Sequence, residues 1–263
     1  MVLAKLAYNE GVLPVLPLMV QLQRVTIAPS QLSNETLYLT PEQHHYLSRV
    51  LRLGAGDRFI AMDGQGHGWL SALGSTLREA KILEPIAAQT ELPVSVTLLI
   101  ALPKTGMEDI VRQVTELGVE QIVPVLSQRT LLNPSVQKRD RWQRIAAEAA
   151  EQSERQIVPR IWEPTPWAEA LKTWNNGSCY LCAERGARSP LLSTLQQTTA
   201  SSLILATGCE GGWTPAEVEM AIAAAYQPIS LGSRILRAVT APVVVMAIVA
   251  SVYEAMPPIG KTV

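Results

Sequence analysis

Residues 205–213 read LATGCEGGW, an apolar run that ends in a glycine turn and passes straight into TPAEVEMA. Glycine lets a backbone take positive φ or lets a ligand approach closely. Gly208, Gly211 and Gly212 therefore mark a turn able to hold a small molecule through its amides and carbonyls. The same grammar recurs at residues 231–241, LGSRILRAVTA, and two such corners in tandem can wall one pocket. A phosphate-rich ligand is disfavoured there. The loop fits neither G-x-G-x-x-G nor G-x-x-x-x-G-K-S/T, and Glu210 would repel a phosphate at the helix start. It also follows at least four strands, whereas a dinucleotide fingerprint occupies the first βα turn. A zwitterionic or cationic ligand suits it better. Paired carboxylates, a Ser/His/Asp set and a metal cluster do not emerge, so hydrolysis and metal catalysis lack their parts. The chemistry expected is a transfer whose driving force sits in the cofactor.

Basic residues form the second set. His45, Arg49 and Arg52 fall at i, i+4 and i+7 on one helical stripe, with Leu47, Val50 and Leu51 facing inward. Lys138, Arg139, Arg141 and Arg144 cluster on a second helix, with Arg129 upstream and Arg155 and Arg160 after it; Arg234 and Arg237 occupy the last loop. Taken singly, each is the composition of a solvated face. Patches in both halves of a chain of net charge −1 point instead to a local track for a phosphate backbone.

Cys179 and Cys182 form a C-x-x-C. It sits in SCYLCA, a strand, where residues three apart point to opposite faces. Buried thiols are expected rather than a redox pair or zinc ligands. Three cysteines, an odd number, fit a reducing cytoplasm. The apolar run at 241–253 is shorter than the roughly 20 residues a membrane span needs, so it is expected to be a core helix.

These residues need elements to position them, and the chain has two grammars. From residue 19 to about 90, short strands and turns surround one helix begun by the capping box Thr40-Pro41-Glu42-Gln43; the charges balance, and a small β-barrel is expected. After Pro93, strands alternate with helices, which implies a mainly parallel sheet covered on both faces. Its expected strands lie near residues 94–101, 122–126, 157–162, 178–183 and 201–207. Its helices begin at the boxes Thr105-x-x-Glu108 and Thr214-x-x-Glu217. Aromatics make up only 5% of the sequence, so the core must be built from Leu, Val, Ile and Ala. Residues 1–18, broken by Pro14 and Pro17 and lacking a cleavage site, read as an extension or a start-site artefact ahead of Met19.

The order of these motifs resembles the bacterial uracil-N3 methyltransferases of small-subunit ribosomal RNA, the RsmE family of the SPOUT superfamily. The matching pieces are HHYLSRVLRLGAGD, MEDIVRQVTELGVEQIVP with Lys104 before it, IAAEAAEQSER, GCEGGWTPAE and LGSRILRAVTA. The resemblance implies an α/β chain with an N-terminal PUA-like β-barrel (19–90) and a C-terminal methyltransferase domain (91–263) carrying a trefoil knot. It further implies a cytoplasmic homodimer that methylates N3 of a specific uridine in 16S rRNA of the small ribosomal subunit, with no membrane involved. S-adenosyl-L-methionine would lie against Leu205, Gly208, Glu210, Gly211 and Gly212 from the first corner and Leu231, Gly232, Ile235 and Leu236 from the second, with Ala183 and Glu184 completing the pocket. Arg234 or Arg237 would stabilise the anion left when N3 loses its proton. Arg24, matching an arginine at the start of the family's barrel, would reach RNA or the pocket.

Two residues depart from the family pattern. Cys209 stands where Gly-Pro-Glu-Gly-Gly has proline, and Val239 where Leu-Arg-x-Glu-Thr-Ala has glutamate. The second sustains a rival reading, in which the chain keeps the fold as a catalytically weak RNA-binding or ribosome-assembly protein.

Overall fold

The structure, a computed structural model, describes residues 22–255 except 77, 132–133 and 184–187. The expected extension at 1–18 and Glu184 lie outside the described residues. The N-terminal elements are β1 (Arg24–Thr26), β2 (Leu32–Ser33), β3 (Thr36–Tyr38), α1 (Pro41–His45), β4 (Arg58–Met62), β5 (Gly68–Leu73) and β6 (Glu79–Ile86). Six strands in the order β1-β4-β5-β6-β3-β2 form a half-barrel. Alternate residues such as Val25, Leu37, Phe59 and Ala61 turn inward onto Leu47, the period-2 alternation of a strand packed on a core, while β4 buries its other face too, at Ile60 and Met62. Thr40 caps α1 as expected: its hydroxyl accepts from the Gln43 amide, and the Gln43 side chain accepts from the Thr40 amide.

The basic stripe does not continue down this helix. Residues Tyr46–Val50 form a π-helical turn, with the Leu51 amide bonded to the Tyr46 carbonyl, and Arg52 follows in the left-handed region at φ 58°. The helix therefore ends before Arg52, and Val50, expected inside, is 59% exposed.

The second half contains β7 (Ser95–Ala101), α2 (Met107–Glu116), β8 (Gln121–Leu126), α3 (Val136–Gln152), β9 (Arg160–Ile161), β10 (Thr165–Pro166), α4 (Trp167–Thr173), β11 (Ser178–Cys182), α5 (Leu191–Leu195), β12 (Ser202–Thr207), α6 (Pro215–Ala223), β13 (Gln227–Ile229) and α7 (Ala241–Ala255). Its strands pair in parallel in the order β10-β8-β7-β12-β11-β13, with β9 beside β8. The strand expected at 157–162 shrinks to Arg160–Ile161, because residues 156–158 turn aside to bond Glu91 and the Gly64 carbonyl. One face of the sheet packs on α2, α3, α5 and α7, and the other on α4 and α6. Cys182 lies in the first layer and Cys179 in the second. The C-x-x-C is thus split across the sheet, as its strand spacing requires. The 15-residue α7 buries Val245, Met246, Val249 and Tyr253. No helix among the described residues is long and apolar enough to cross a membrane.

Arg155, counted above with the basic clusters, belongs to the core. It is 2% exposed; its Nε and Nη2 donate to Glu91 Oε2 at 3.0 and 2.8 Å, and its Nη1 donates to the carbonyls of Thr115 and Val119. Glu91 Oε1 accepts from the amides of Gln156 and Ile157. A buried ion pair with its hydrogen bonds filled in this way costs little; breaking one partner costs about 3–5 kcal/mol. Beside it, Arg24 of β1 pairs with Glu154 at 2.9 Å, and the Thr26 amide donates to Glu151 at 2.7 Å. These contacts fasten the half-barrel to the end of α3.

Candidate active site

Strand β12 ends at Thr207, and the chain turns through residues 208–213 into α6. The turn is fixed from behind. Thr214 caps α6, its hydroxyl accepting from the Glu217 amide, while Glu217 Oε2 accepts from the Thr214 amide at 2.8 Å and its hydroxyl at 3.1 Å. The other oxygen, Oε1, accepts from the Gln128 amide at 2.7 Å, although Glu217 is only 3% exposed. One carboxylate thus ties the helix start to the loop after β8. From that loop the Arg129 guanidinium donates to the Gly211 carbonyl. A Cβ on Gly211 would lie 2.8 Å from Arg129 Cδ, and Gly212 takes φ 66°. Both glycines are structural requirements of the turn.

The front of the loop is held by Glu210, whose two oxygens accept from the Lys104 amide at 2.9 and 3.1 Å. Lys104 lies on the strap between β7 and α2. The expected capping box at Thr105 does not form: Gly106, at φ 87°, precedes the helix without a side-chain cap, and Glu108 pairs with Arg141 Nη2 at 2.8 Å. Gly106 is tightly covered, since a Cβ there would meet Val239 Cγ1 at 2.6 Å. Val239 therefore closes the second corner onto the strap.

That second corner runs from β13 to α7. The Ser230 hydroxyl and the Gly232 backbone bond each other at 3.1 Å, and Gly232 takes φ 116°. The Arg237 carbonyl accepts from the Thr240 and Ala241 amides, and the Thr240 carbonyl from the Val244 amide, which starts α7. The two corners and the end of β11 enclose a cavity of about 530 Å³. It lies beyond the carboxyl ends of parallel strands, where open α/β sheets bind ligands. Ala183, Gly208, Glu210, Leu231, Gly232, Arg234, Ile235, Leu236 and Arg237 all line it. Three residues of the expected set do not: Leu205 is fully buried in the core beneath, and Gly211 and Gly212 shape the turn. Thr105, Cys182, Ser230 and Val239 line it as well. Burial pushes the Cys182 thiol up to about 12, so it is a neutral wall and not a nucleophile.

The RNA-facing set divides. His45, Arg49, Arg52, Lys138, Arg141 and Arg144 are exposed. Arg139 pairs with Glu163, and Arg141 with Glu108. Arg24 is not poised for RNA or the cavity: its side chain is 13% exposed and held by Glu154 and the Leu22 carbonyl. Sequence reasoning missed the strap at 103–106, although the strap follows a central parallel strand, and such strands deliver their loops to one edge.

Two family models match the chain, an RNA methyltransferase domain at residues 90–250 and an RNA methyltransferase PUA domain at residues 39–80. The chain belongs to the RNA methyltransferase family. Among members of the family, the Ribosomal RNA small subunit methyltransferase E of Synechocystis sp. is 46% identical over 88% of this chain and 78% of its own length. The protein of that name from Bacillus subtilis is 31% identical over 79% of this chain and 86% of its own. A crystal structure of a Ribosomal RNA small subunit methyltransferase E from Neisseria gonorrhoeae bound to S-adenosyl methionine superposes with a TM-score of 0.78 at 29% identity, covering 88% of this chain and 98% of that one. The PUA match falls within the half-barrel, over α1, β4, β5 and the start of β6, and the methyltransferase match spans the parallel sheet.

Proposed function

We propose that the chain is an S-adenosyl-L-methionine-dependent methyltransferase acting on N3 of a uridine in 16S rRNA of the small ribosomal subunit. The observation that carries this is the composition of the large cavity. Its walls combine Gly, Ala, Leu, Ile and Val with a few polar groups, Thr105, Glu210 and Ser230, and with Arg234 and Arg237. A volume of about 530 Å³ falls within the range of small-molecule sites. Immediately behind it, the Thr207 hydroxyl and the Trp213 indole N–H are buried polar groups without a partner among the described residues, which suits a polar ligand or its waters.

S-adenosylmethionine, when bound, supplies a methyl group already electrophilic on its sulfonium sulfur. Ala183, Gly208, Leu231, Gly232 and Leu236 would hold it through backbone groups and apolar contact, while Glu210 keeps its loop against the strap. A paired uridine hides N3, so the base must enter unpaired or extruded. Arg234 and Arg237, both exposed at the cavity, would place positive charge beside the oxygens that gain charge as N3 loses its proton. A preorganised donor of this kind is worth roughly 10²–10³ in rate. The half-barrel, with His45, Arg49 and Arg52, and the Lys138–Arg144 helix face would grip flanking RNA. The division near residue 90, the homodimer, the cytoplasmic setting and the trefoil knot belong to the same reading.

The test is methyl transfer from labelled S-adenosylmethionine to small subunits lacking the modification, with base-resolved mapping. One uridine N3 should be labelled, and Arg237→Ala should reduce the rate at least a hundredfold with cofactor affinity retained. Labelling at another atom, or none, overturns the assignment.

A further inference from the structure

Beside the large cavity lies a second one, of about 240 Å³. The strap at 103–106 separates the two, and Thr105 faces both. Its floor is apolar, made by Leu102, Met107 and Trp142, each at most 6% exposed, together with Pro103. Its rim carries the exposed ammonium groups of Lys104 and Lys138. Two carboxylates are also present, but each is already engaged: Glu108 with Arg141 at 2.8 Å and Asp109 with Arg112 at 2.9 Å. The local field left toward solvent is that of the lysines.

We infer that this second cavity is a subsite for one nucleotide of single-stranded RNA next to the methylated base, resting on the function proposed above. Its volume is below the roughly 300–1,000 Å³ of sites that enclose a whole drug-sized ligand, so it takes one ring system rather than a second cofactor. An apolar floor bordered by cations matches the two ends of a nucleotide: the base lies on Leu102, Met107 and Trp142, and the phosphate meets Lys104 and Lys138. Single-stranded RNA is bound by this combination of ring packing and backbone charge. The location is also right for a neighbour of the target, because the strap wall is shared. Through the Lys104 amide on Glu210, that wall is fixed to the cofactor-side loop. Glu210 thereby makes the filled subsite and the ordered loop parts of one arrangement, and Lys104 acts twice, by its amide toward the loop and by its ammonium toward RNA.

The experiment compares the wild-type protein with Lys104→Ala and Lys138→Ala on a short RNA spanning the target, and then on the same RNA with an abasic residue at either flanking position. Both variants should raise KM for RNA roughly three- to fivefold and flatten its log–log salt dependence by about one unit, the share of one phosphate contact. kcat and affinity for S-adenosylmethionine should hold. An abasic residue at one flanking position should weaken wild-type binding roughly 5–100-fold, the range for loss of one stacked base, and the other position should not respond. If KM and its salt slope are unchanged in both variants, or if neither abasic substrate weakens binding by the active wild type, the subsite is wrong. If Lys138→Ala lowers cofactor affinity, the cavity belongs to the cofactor instead. A wild-type protein that methylates no RNA removes the parent reading, a result distinct from either.

Discussion

Glu217→Ala is the most informative single perturbation of the site's scaffold. Its carboxylate accepts three hydrogen bonds, from the amides of Gln128 and Thr214 and the Thr214 hydroxyl. Alanine would leave the buried Thr214 amide and the part-buried Gln128 amide unfilled, at about 1–3 kcal/mol each when no water enters. It would also remove half of the capping box, whose loss costs about 0.5–2 kcal/mol. These contributions overlap, and water reaching the opened space offsets part of them. We expect a net loss of about 2–4 kcal/mol, read as a lower denaturant midpoint at unchanged slope or as a fall in Tm of about 2–4 °C per kcal/mol. Thr214→Ala, which disturbs only the cap, should cost about 0.5–2 kcal/mol. Because the two residues share bonds, the double variant should depart from additivity by more than about 0.5 kcal/mol. Equilibrium unfolding of the four proteins measures all of this. A Glu217→Ala cost below about 1 kcal/mol, or additive single effects, would refute the claim that one carboxylate fastens both loops.

Two other outcomes follow from the geometry. Gly106→Ala meets both a positive φ and a Val239 methyl at 2.6 Å, so it should destabilise by about 2 kcal/mol or more; Val239→Ala in the same chain should restore only the steric part, leaving the φ cost of about 1–2 kcal/mol, and complete rescue in a melt would show the backbone unstrained. Burial raises the Glu151 carboxyl above its ordinary 4.5, against the lowering effect of the Thr26 bonds, with Glu148 adding to the rise. The folded chain then holds this proton more tightly than the unfolded one, so the contribution is complete below about pH 4.5 and is lost as pH rises through the folded value. Glu151→Gln, which keeps an acceptor for the Thr26 amide, should gain stability relative to wild type as pH is raised from 4 to 7; a constant or falling difference would sink the assignment.

Local chemistry made much of this architecture legible before any coordinates. Thr40 and Thr214 cap helices where their sequences say so, because a capping box is written within four residues. The C-x-x-C divides between two layers because strand alternation allows nothing else. The Thr105 box failed for a non-local reason: Glu210, 106 residues away, takes the Lys104 amide, and Arg141 takes Glu108. Arg24 and Arg155 looked like RNA contacts because sequence counts charges and cannot see their partners, Glu154 and Glu91. The break in the basic stripe at Arg52 had no visible signal, since a π turn leaves the residue types of a helix unchanged. Within the cavity, the two glycine corners were recognisable as motifs. The strap that joins them was not, because only the order of strands in the sheet brings it there.

The split of Cys179 and Cys182 between the two layers has a use in following the molecule's motions. The pair cannot be stapled by oxidation without turning the strand over, so each thiol keeps its own clock. Cys179 becomes reachable when the α4 and α6 layer lifts, whereas Cys182, a wall of the large cavity, is approached from the cavity itself. Alkylation at Cys179 therefore times the opening of one layer, while alkylation at Cys182 reports whether the cavity is filled, within a single unmodified chain.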